Sequence, residues 1–474
     1  MAKTNISLLE GPVLPSLLKL AGPIVIANLL QAAYQLVDAF WVGRLGGDAV
    51  AAVSISTPVV FLSMSLGMGF AMAGSILIAQ YYGAGSTKNV SHIAGQTLLL
   101  VATLSIVLGL VGWILSPFFL SLMKVTPQVY KGALGFLRVA FIGLVFNFSF
   151  FVFQSIMRGI GQVTLPVYIV LGTVILNFAL DPLLIFGWGP IAANGVMGAA
   201  MATLCTQLIA CIIGFAVLFR GNYGVRLYLA DFVPDFKHIK RAFNIGFPAS
   251  IEQSMRAMGI MLLTFLIAGF GTVSVAIYGA ASNILQVFLI LAIGFSMAIS
   301  TVVGQNIGAG QIERATRVST LGARLSFLVL TLLGVGVWFV AADLVAFFVP
   351  EDPAIITGGA HFLRIMCLTW GFLGLQLSLT GTLRAAGSTM TAMMLTLISQ
   401  WVLQFPLAYI LSHKADLGVD GIWWAFPTSN VLIACITMAV FAKGDWKKKR
   451  LTSEEDDLTS RVAVESTAEE GVIK

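Results

Sequence analysis

Asp38 lies inside a long apolar run and follows Gln31, Tyr34 and Gln35 at helical spacing, so the four side chains share one face. A second acid, Asp181, lies in another apolar run, four residues after Asn177. A carboxylate at the middle of a membrane helix costs about 2.5–3.5 kcal/mol on insertion scales, so an acid kept there marks a working site. Two neighbouring carboxyl groups titrate as a coupled pair and can carry a proton. Glu252 and Arg256 stand four residues apart in a later apolar run, the spacing of an ion pair on one helix. Met64, Met68 and Met72 form a stripe at i, i+4, i+8, and flexible thioethers suit varied apolar ligands. Four histidines (His92, His238, His361 and His413) are scattered without metal-ligand spacing, and no Gly-rich loop with Lys-Ser/Thr is present to hold ATP.

The elements that carry these residues must be membrane helices. Of 474 residues, 58% are hydrophobic and only 10% charged, against about 25% charged in soluble domains. Twelve apolar runs, near 17–42, 50–79, 92–115, 128–156, 163–187, 195–219, 240–268, 275–303, 318–341, 355–381, 389–412 and 420–442, are each long enough to cross a bilayer. With the N-terminus inside, seventeen Lys and Arg fall on that side and four (Arg44, Lys124, Lys131 and Lys414) on the other, which places both termini in the cytoplasm. The net charge of +6 belongs to this topology and is no nucleic-acid signal. Cys205, Cys211, Cys367 and Cys435 all sit in apolar segments, so no disulfide framework is expected. The tail after Trp446 is expected to be disordered and held at the lipid surface by its basic run.

The chain is duplicated. Pro23 matches Pro248, Gly46 matches Gly271, Gln80 matches Gln305 and Gly83-Ala-Gly85 matches Gly308-Ala-Gly310, all 225 residues apart. Phe136-Leu-Arg138 matches Phe362-Leu-Arg364, Arg158 matches Arg384, and Gly195 matches Gly421, all 226 apart. Six spans per copy make parallel repeats. The expected fold is therefore all-α and integral to the membrane, with twelve transmembrane helices in two parallel-repeat six-helix bundles around a central cleft. The divisions are 1–16 (cytoplasmic N-terminus), 17–219 (first bundle), 220–239 (basic linker), 240–442 (second bundle) and 443–474 (polar tail). Across the repeat, Asp38 corresponds to Leu263, Asp181 to Leu407, Asn177 to Leu403 and Gln31 to Arg256. The second copy folds with leucine where the first has acids, so the acids serve chemistry and not the fold.

Ala21-Gly-Pro-Ile, Leu36-Val-Asp-Ala-Phe-Trp-Val-Gly-Arg-Leu-Gly46, Gln80-Tyr-Tyr-Gly-Ala-Gly85, Met157-Arg-Gly-Ile-Gly161 and Asn177-Phe-Ala-Leu-Asp-Pro182 resemble the multidrug and toxic compound extrusion (MATE) family over about residues 10–442. Pro248-Ala-Ser-Ile-Glu-Gln-Ser-Met-Arg256 and Val303-Gly-Gln-Asn-Ile-Gly-Ala-Gly310 look most like its DinF-like prokaryotic branch. The resemblance implies a twelve-helix antiporter that exports amphiphilic organic cations in exchange for protons or sodium ions. It implies that Asp38 is the coupling carboxylate, that Asp181 and Asn177 are its partners, and that Thr203 and Gln31 are the accompanying polar groups. Another branch carries an acidic pair in its seventh and tenth spans. Here Arg256 stands where the first of those acids is expected, and Phe362–Gly381 contains none.

Ion-coupled export by alternating access is thus expected, with Asp38, Asp181, Asn177, Thr203 and Gln31 at the coupling site. If sodium is the ion, the oxygen-bearing Asp38, Asn177, Asp181 and Thr203 suit a hard cation. Tyr34, Gln35, Met64, Met68, Arg256 and Glu252 are candidates for the substrate cavity, with Glu252 and Arg256 also readable as a structural or gating pair. No cofactor beyond the coupling ion is expected. The expected partners are small organic cations and the lipid bilayer, with no nucleic acid, and the protein is expected to work as a monomer in the plasma membrane, or the inner membrane of a Gram-negative cell. A flippase of lipid-linked precursors is the alternative. It would need several basic residues to hold a pyrophosphate, whereas Arg256 is the only basic residue deep in a span without a counterpart in the other half. Membrane-enzyme chemistry lacks a metal site or an activated nucleophile.

Overall fold

A computed structural model describes residues 8–189, 192–350 and 352–452. The start of the chain and the acidic stretch Glu454–Asp457 of the expected tail lie outside the described residues. The helices are α1 (Val13–Gly43), α2 (Gly47–Gly83), α3 (Thr87–Leu122), α4 (Pro127–Gly159), α5 (Thr164–Phe186), α6 (Gly195–Arg220), α7 (Phe236–Ala268), α8 (Thr272–Gly308), α9 (Ile312–Phe348), α10 (Pro353–Cys367), α11 (Trp370–Ala385), α12 (Thr389–Leu397), α13 (Phe405–His413) and α14 (Val419–Lys443). A π turn, Ile398–Gln404, joins α12 to α13, and the three form one span. Among the described residues, eleven such segments are long and apolar enough to cross a membrane, and the pair α10–α11, bent by 51°, makes a twelfth when counted as one span. Beside the bend, Cys367 Sγ and Thr369 Oγ1 donate to the carbonyls three residues back, a local bonding that competes with helix continuation. Pro182, by contrast, leaves α5 a single helix.

Helices serve here because a bilayer offers no water to satisfy backbone groups. Their hydroxyls follow the same rule. In α2, Ser56, Thr57, Ser63 and Ser65 each donate to the carbonyl four residues back.

The chain divides into two compact units. The first holds residues 26–250. In it α4 packs against α2, α3 and α6, and α5 packs against α6. The second holds residues 8–25 and 251–452, with α11 against α8, α9 and α14. The division differs from a simple cut between repeats. It crosses α1 and α7 two residues after Pro23 and Pro248, so the opening segment of each repeat's first helix belongs with the other repeat. The packing is correspondingly matched. A Cβ on Gly69 would lie 2.2 Å from the Ser250 backbone nitrogen, and one on Gly294 would lie 2.4 Å from Val25. Both pairs are equivalent under the 225-residue offset. Gly46 and Gly271, at φ 103° and 101°, start α2 and α8 in the same left-handed backbone region, which favours glycine.

The opening of α7 is secured within the first unit. Ser250 Oγ donates to the Leu66 carbonyl, and Phe243 stacks between Phe70 and Phe247. Gln96 of α3 grips the linker before α7. Its Nε2 donates to the carbonyls of Asp231 and Val233 at 2.7 Å each, and its Oε1 accepts from the Asp235 nitrogen. Desolvation opposes ionisation of Asp235, but hydrogen bonds from His238 and His92 together override it and hold the carboxyl below the usual range.

Two sequence expectations change here. Arg384, one of the seventeen Lys and Arg that the topology assigns to the cytoplasmic side, is buried in the second unit. The tail does not leave the protein immediately after Trp446, because that indole is 1% exposed and Arg450 Nη2 donates to the Gly308 carbonyl at the end of α8. Burial of the indole and capping of a helix end hold residues 445–452 in place.

Candidate ion and substrate site

The acidic site lies wholly within the first unit. Asp38 sits near the end of α1, Asn177 and Asp181 sit one turn apart on α5, and Thr203, Thr206 and Gln207 sit on α6. The apolar cluster Val42, Ala49, Ile185 and Ala199 fixes these helices beside the polar groups. Asn177 and Asp181 are fully buried, and Asp38 is half-buried. Asn177 Nδ2 donates to Asp181 Oδ1 at 3.2 Å, and Thr203 Oγ1 donates to Asp38 Oδ2 at 3.3 Å. The Asp38 carboxyl lies within electrostatic reach of Asp181 and Asn177. Four of the five expected coupling residues are therefore brought together. Gln31, nearly two turns before Asp38, is half-exposed and makes no hydrogen bond to this group.

Tyr34 braces the site instead of lining a cavity. Its hydroxyl lies 2.6 Å from Thr206 Oγ1, and Thr206 donates to the Thr203 carbonyl at 2.9 Å. Thr206 has spent its only hydrogen there, so Tyr34 is the donor. The chain Tyr34–Thr206–Thr203–Asp38 ties α1 to α6 and back.

Three oxygens in this cluster are buried without a hydrogen-bond partner: Asp38 Oδ1, Asp181 Oδ2 and Asn177 Oδ1. Buried acceptors of this kind are costly when left unpaired. A proton shared by the acids, or a hard cation bound by the oxygens, would satisfy them, and the donor set fits either.

Asp38 also opens onto a cavity of about 380 Å³. Gln35, Thr57, Met64, Asn147, Thr203 and Gln207 contribute to its wall, and Asp38 is its only charged lining residue. The rest of the wall is aliphatic or aromatic. Gln35 and Met64 are thus placed as expected. Met68 is not in the wall: it is 39% exposed and points away from the cavity. Asn147 and Gln207 escaped the sequence reading. Gln207 follows Thr203 by one helical turn, a signal that was available.

Glu252 and Arg256 belong to the second unit and do not line this cavity. Their expected pairing is present at 3.4 Å, but it is the weaker part of a larger group. Arg384 Nη2 donates to Glu252 Oε1 at 2.5 Å and its Nε to Oε2 at 3.3 Å, while Thr396 Oγ1 donates to Oε1 at 3.0 Å. Gln400, in the π turn, donates to the Arg256 carbonyl. At the mirror of the acidic site, Leu263 is 4% exposed in a core with Phe362 and Trp423, and Leu407 packs against it. The second unit fills with hydrocarbon the place where the first keeps its acids.

Comparison with known proteins agrees with this architecture. The family model MatE matches residues 23–183 and 248–410, two stretches that begin 225 residues apart, as the repeat does. The probable multidrug resistance protein YoeA of Bacillus subtilis is 28% identical over 91% of this chain and 93% of its own length. The probable multidrug resistance protein NorM of Thermotoga maritima is 27% identical over 93% and 94%. A protein named FAD transporter, from Shewanella oneidensis, is 26% identical over 92% and 96%. In fold, a crystal structure of MATE in complex with MaL6 aligns with a TM-score of 0.86 at 24% identity, covering 94% of this chain and all of that one. The chain therefore belongs to the MatE family, the multidrug and toxic compound extrusion transporters, and is a transporter and not an enzyme.

Proposed function

We propose that this protein exports amphiphilic organic cations in exchange for protons or sodium ions, by alternating access, with Asp38 and Asp181 as the coupling carboxylates. One observation carries the reading: a single carboxyl group, Asp38, faces both the cavity and the Asp181–Asn177 pair. A cation in the cavity and an ion among the acids then compete for the same negative charge. At an effective dielectric of about 20, two unit charges about 4 Å apart interact by about 4 kcal/mol. That is enough to make the two occupancies nearly exclusive, which is what exchange requires. With Asp38 as the only charged lining residue, the wall favours cations over anions. This separates the proposed substrate from that named for the Shewanella relative. The flippase alternative is weaker, because Arg256, the basic residue it would draw on, and Arg384 both pair with Glu252.

In the same reading the protein is a monomer of the cell membrane with both termini cytoplasmic. The test is transport of ethidium in reconstituted liposomes under an imposed proton or sodium gradient, for wild type and Asp38→Asn. Export driven by one gradient and lost in Asp38→Asn is expected, and the effective gradient identifies the ion. Undiminished coupled export by Asp38→Asn would refute the proposal.

A further inference from the structure

The structure gathers three of the sequence's scattered ligand-type residues at one point outside the acidic site. His92 of α3 and Asp235 and His238 at the start of α7 bring one donor atom each to within 4.8 Å of one another. Asp235 Oδ2 lies 3.2 Å from His92 Nε2 and 2.7 Å from His238 Nδ1. Tetrahedral bonds of about 2.0–2.1 Å place neighbouring ligand atoms about 3.3–3.4 Å apart, so small side-chain shifts suffice to admit an ion. The other oxygen of Asp235 accepts from the backbone nitrogens of Lys237 and His238, which caps α7 and aims Oδ2 at the two imidazoles.

The surroundings are those of a built site. A ligating histidine characteristically turns its second ring nitrogen to a carboxylate. His92 Nδ1 lies 3.7 Å from Asp231 Oδ1, within ion-pair range and a small shift short of that hydrogen bond. Asp231 is fixed in turn: its other oxygen accepts from the Tyr228 nitrogen at 2.8 Å, and its carbonyl accepts from Gln96. A Cβ on Gly95 would lie 2.6 Å from that carbonyl, so α3 and the linker are in close contact here. His92, His238 and Asp235 keep 27%, 15% and 35% of their side-chain surface exposed, which leaves an entry path. Under the 225-residue offset the three ligands become Arg317, Val13 and Glu10, so the cluster is not repeat scaffold.

We propose that His92, Asp235 and His238 bind a divalent transition-metal ion, with Asp231 orienting His92. Two imidazoles and a carboxylate suit zinc best among the common ions, with the remaining position left to water. All the ligands lie in the first unit, His92 on α3, Asp235 just before α7 and His238 in its first turn, so the ion clamps the opening of α7 to α3.

The test uses full-length protein in detergent, stripped of metal and carrying no polyhistidine tag. Zinc chloride is titrated against a chromophoric zinc indicator, and cobalt(II) is followed by its visible d–d bands. Wild type should bind one equivalent of zinc and give a tetrahedral nitrogen–oxygen cobalt spectrum. His92→Gln and His238→Gln should each lose stoichiometric binding while keeping the wild-type gel-filtration profile. Asp231→Asn, which touches no ion directly, should bind about 10–100-fold more weakly. Asp235 is left intact because its loss would also uncap α7. Absence of a stoichiometric zinc site in wild type, or equal affinity in the His92→Gln/His238→Gln double variant, would overturn the proposal.

Discussion

Leu263→Asp and Asp38→Asn test the same idea from opposite sides. Leu263 is 4% exposed among Phe362, Trp423 and Ile422. Burying a leucine contributes about 1.5–3 kcal/mol. Putting a carboxyl in its place adds roughly 1–3 kcal/mol for a buried polar group without a partner. The total loss of roughly 3–6 kcal/mol falls on a unit of more than 200 residues, where about 1 kcal/mol lowers Tm by about 2–4 °C. A fall of roughly 10 °C is therefore expected. Asp38→Asn is isosteric: it keeps an oxygen to accept from Thr203, and the atom it changes to NH2 can be one that has no partner now. Its melting temperature should stay within a few degrees of wild type while coupled export disappears. Thermal gel filtration in detergent measures both proteins, and the liposome assay measures function. If Leu263→Asp melts with wild type, or Asp38→Asn falls as far as Leu263→Asp, the acids are not separable from the fold and the reasoning fails.

Arg384→Met strands Glu252 with its weaker arginine and should cost about 3–5 kcal/mol, and adding Glu252→Leu should recover much of it, both read as melting temperatures. Gly69→Val drives a side chain into the Ser250 backbone and should reduce monodisperse yield more than Gly294→Val, whose Cβ clashes with a Val25 methyl while staying 3.5 Å from the Val25 backbone. Thr203→Val removes a hydroxyl that donates to a carboxylate, a bond of about 1.5–3 kcal/mol, so the coupling-ion concentration for half-maximal export should change by roughly 10–100-fold. An unchanged half-maximal concentration would remove Thr203 from the site.

Asp38, Asp181 and Asn177 were legible because acids and amides in apolar runs are expensive, and because the second repeat shows leucine at each of their positions. Asn147 and Gln207 carry the same amide signal in their own apolar runs, but Thr206 was not legible. Hydroxyls in membrane helices usually bond their own carbonyls, as Ser56 and Thr57 do, so a threonine in a span carries little information. Glu252 drew attention to Arg256 because the two are one turn apart, but its closest partner, Arg384, is 132 residues away. His92 and His238 looked scattered for the same reason. Spacing along one helix is visible in a sequence, whereas contacts between helices depend on packing. The exchange of the opening segments of α1 and α7 was also invisible, although Pro23 and Pro248 mark where it happens.

The repeat distinguishes scaffold from chemistry residue by residue. Positions that kept their identity do structural work: Gly46 and Gly271 begin helices with the same positive φ, and Gly69 and Gly294 admit equivalent close approaches. Positions that diverged hold the polar groups. Asp38 faces a cavity where Leu263 fills a core, and Asp235 meets two histidines where its mirror residue is Glu10 and theirs are Arg317 and Val13. Arg384 joins the two categories. Its partner in the first repeat, Arg158, is also arginine, but the carboxylate that pairs with Arg384, Glu252, corresponds to Ala27. The arginine is common to both repeats, whereas the Glu252 carboxylate occurs in the second alone. Such a buried pair adds little net stability over hydrocarbon and is costly to break. The Glu252 carboxylate joins α7, α11 and α12 through Arg384 and Thr396 and so fixes their register, and in the function proposed above the chemistry of exchange stays with the first unit.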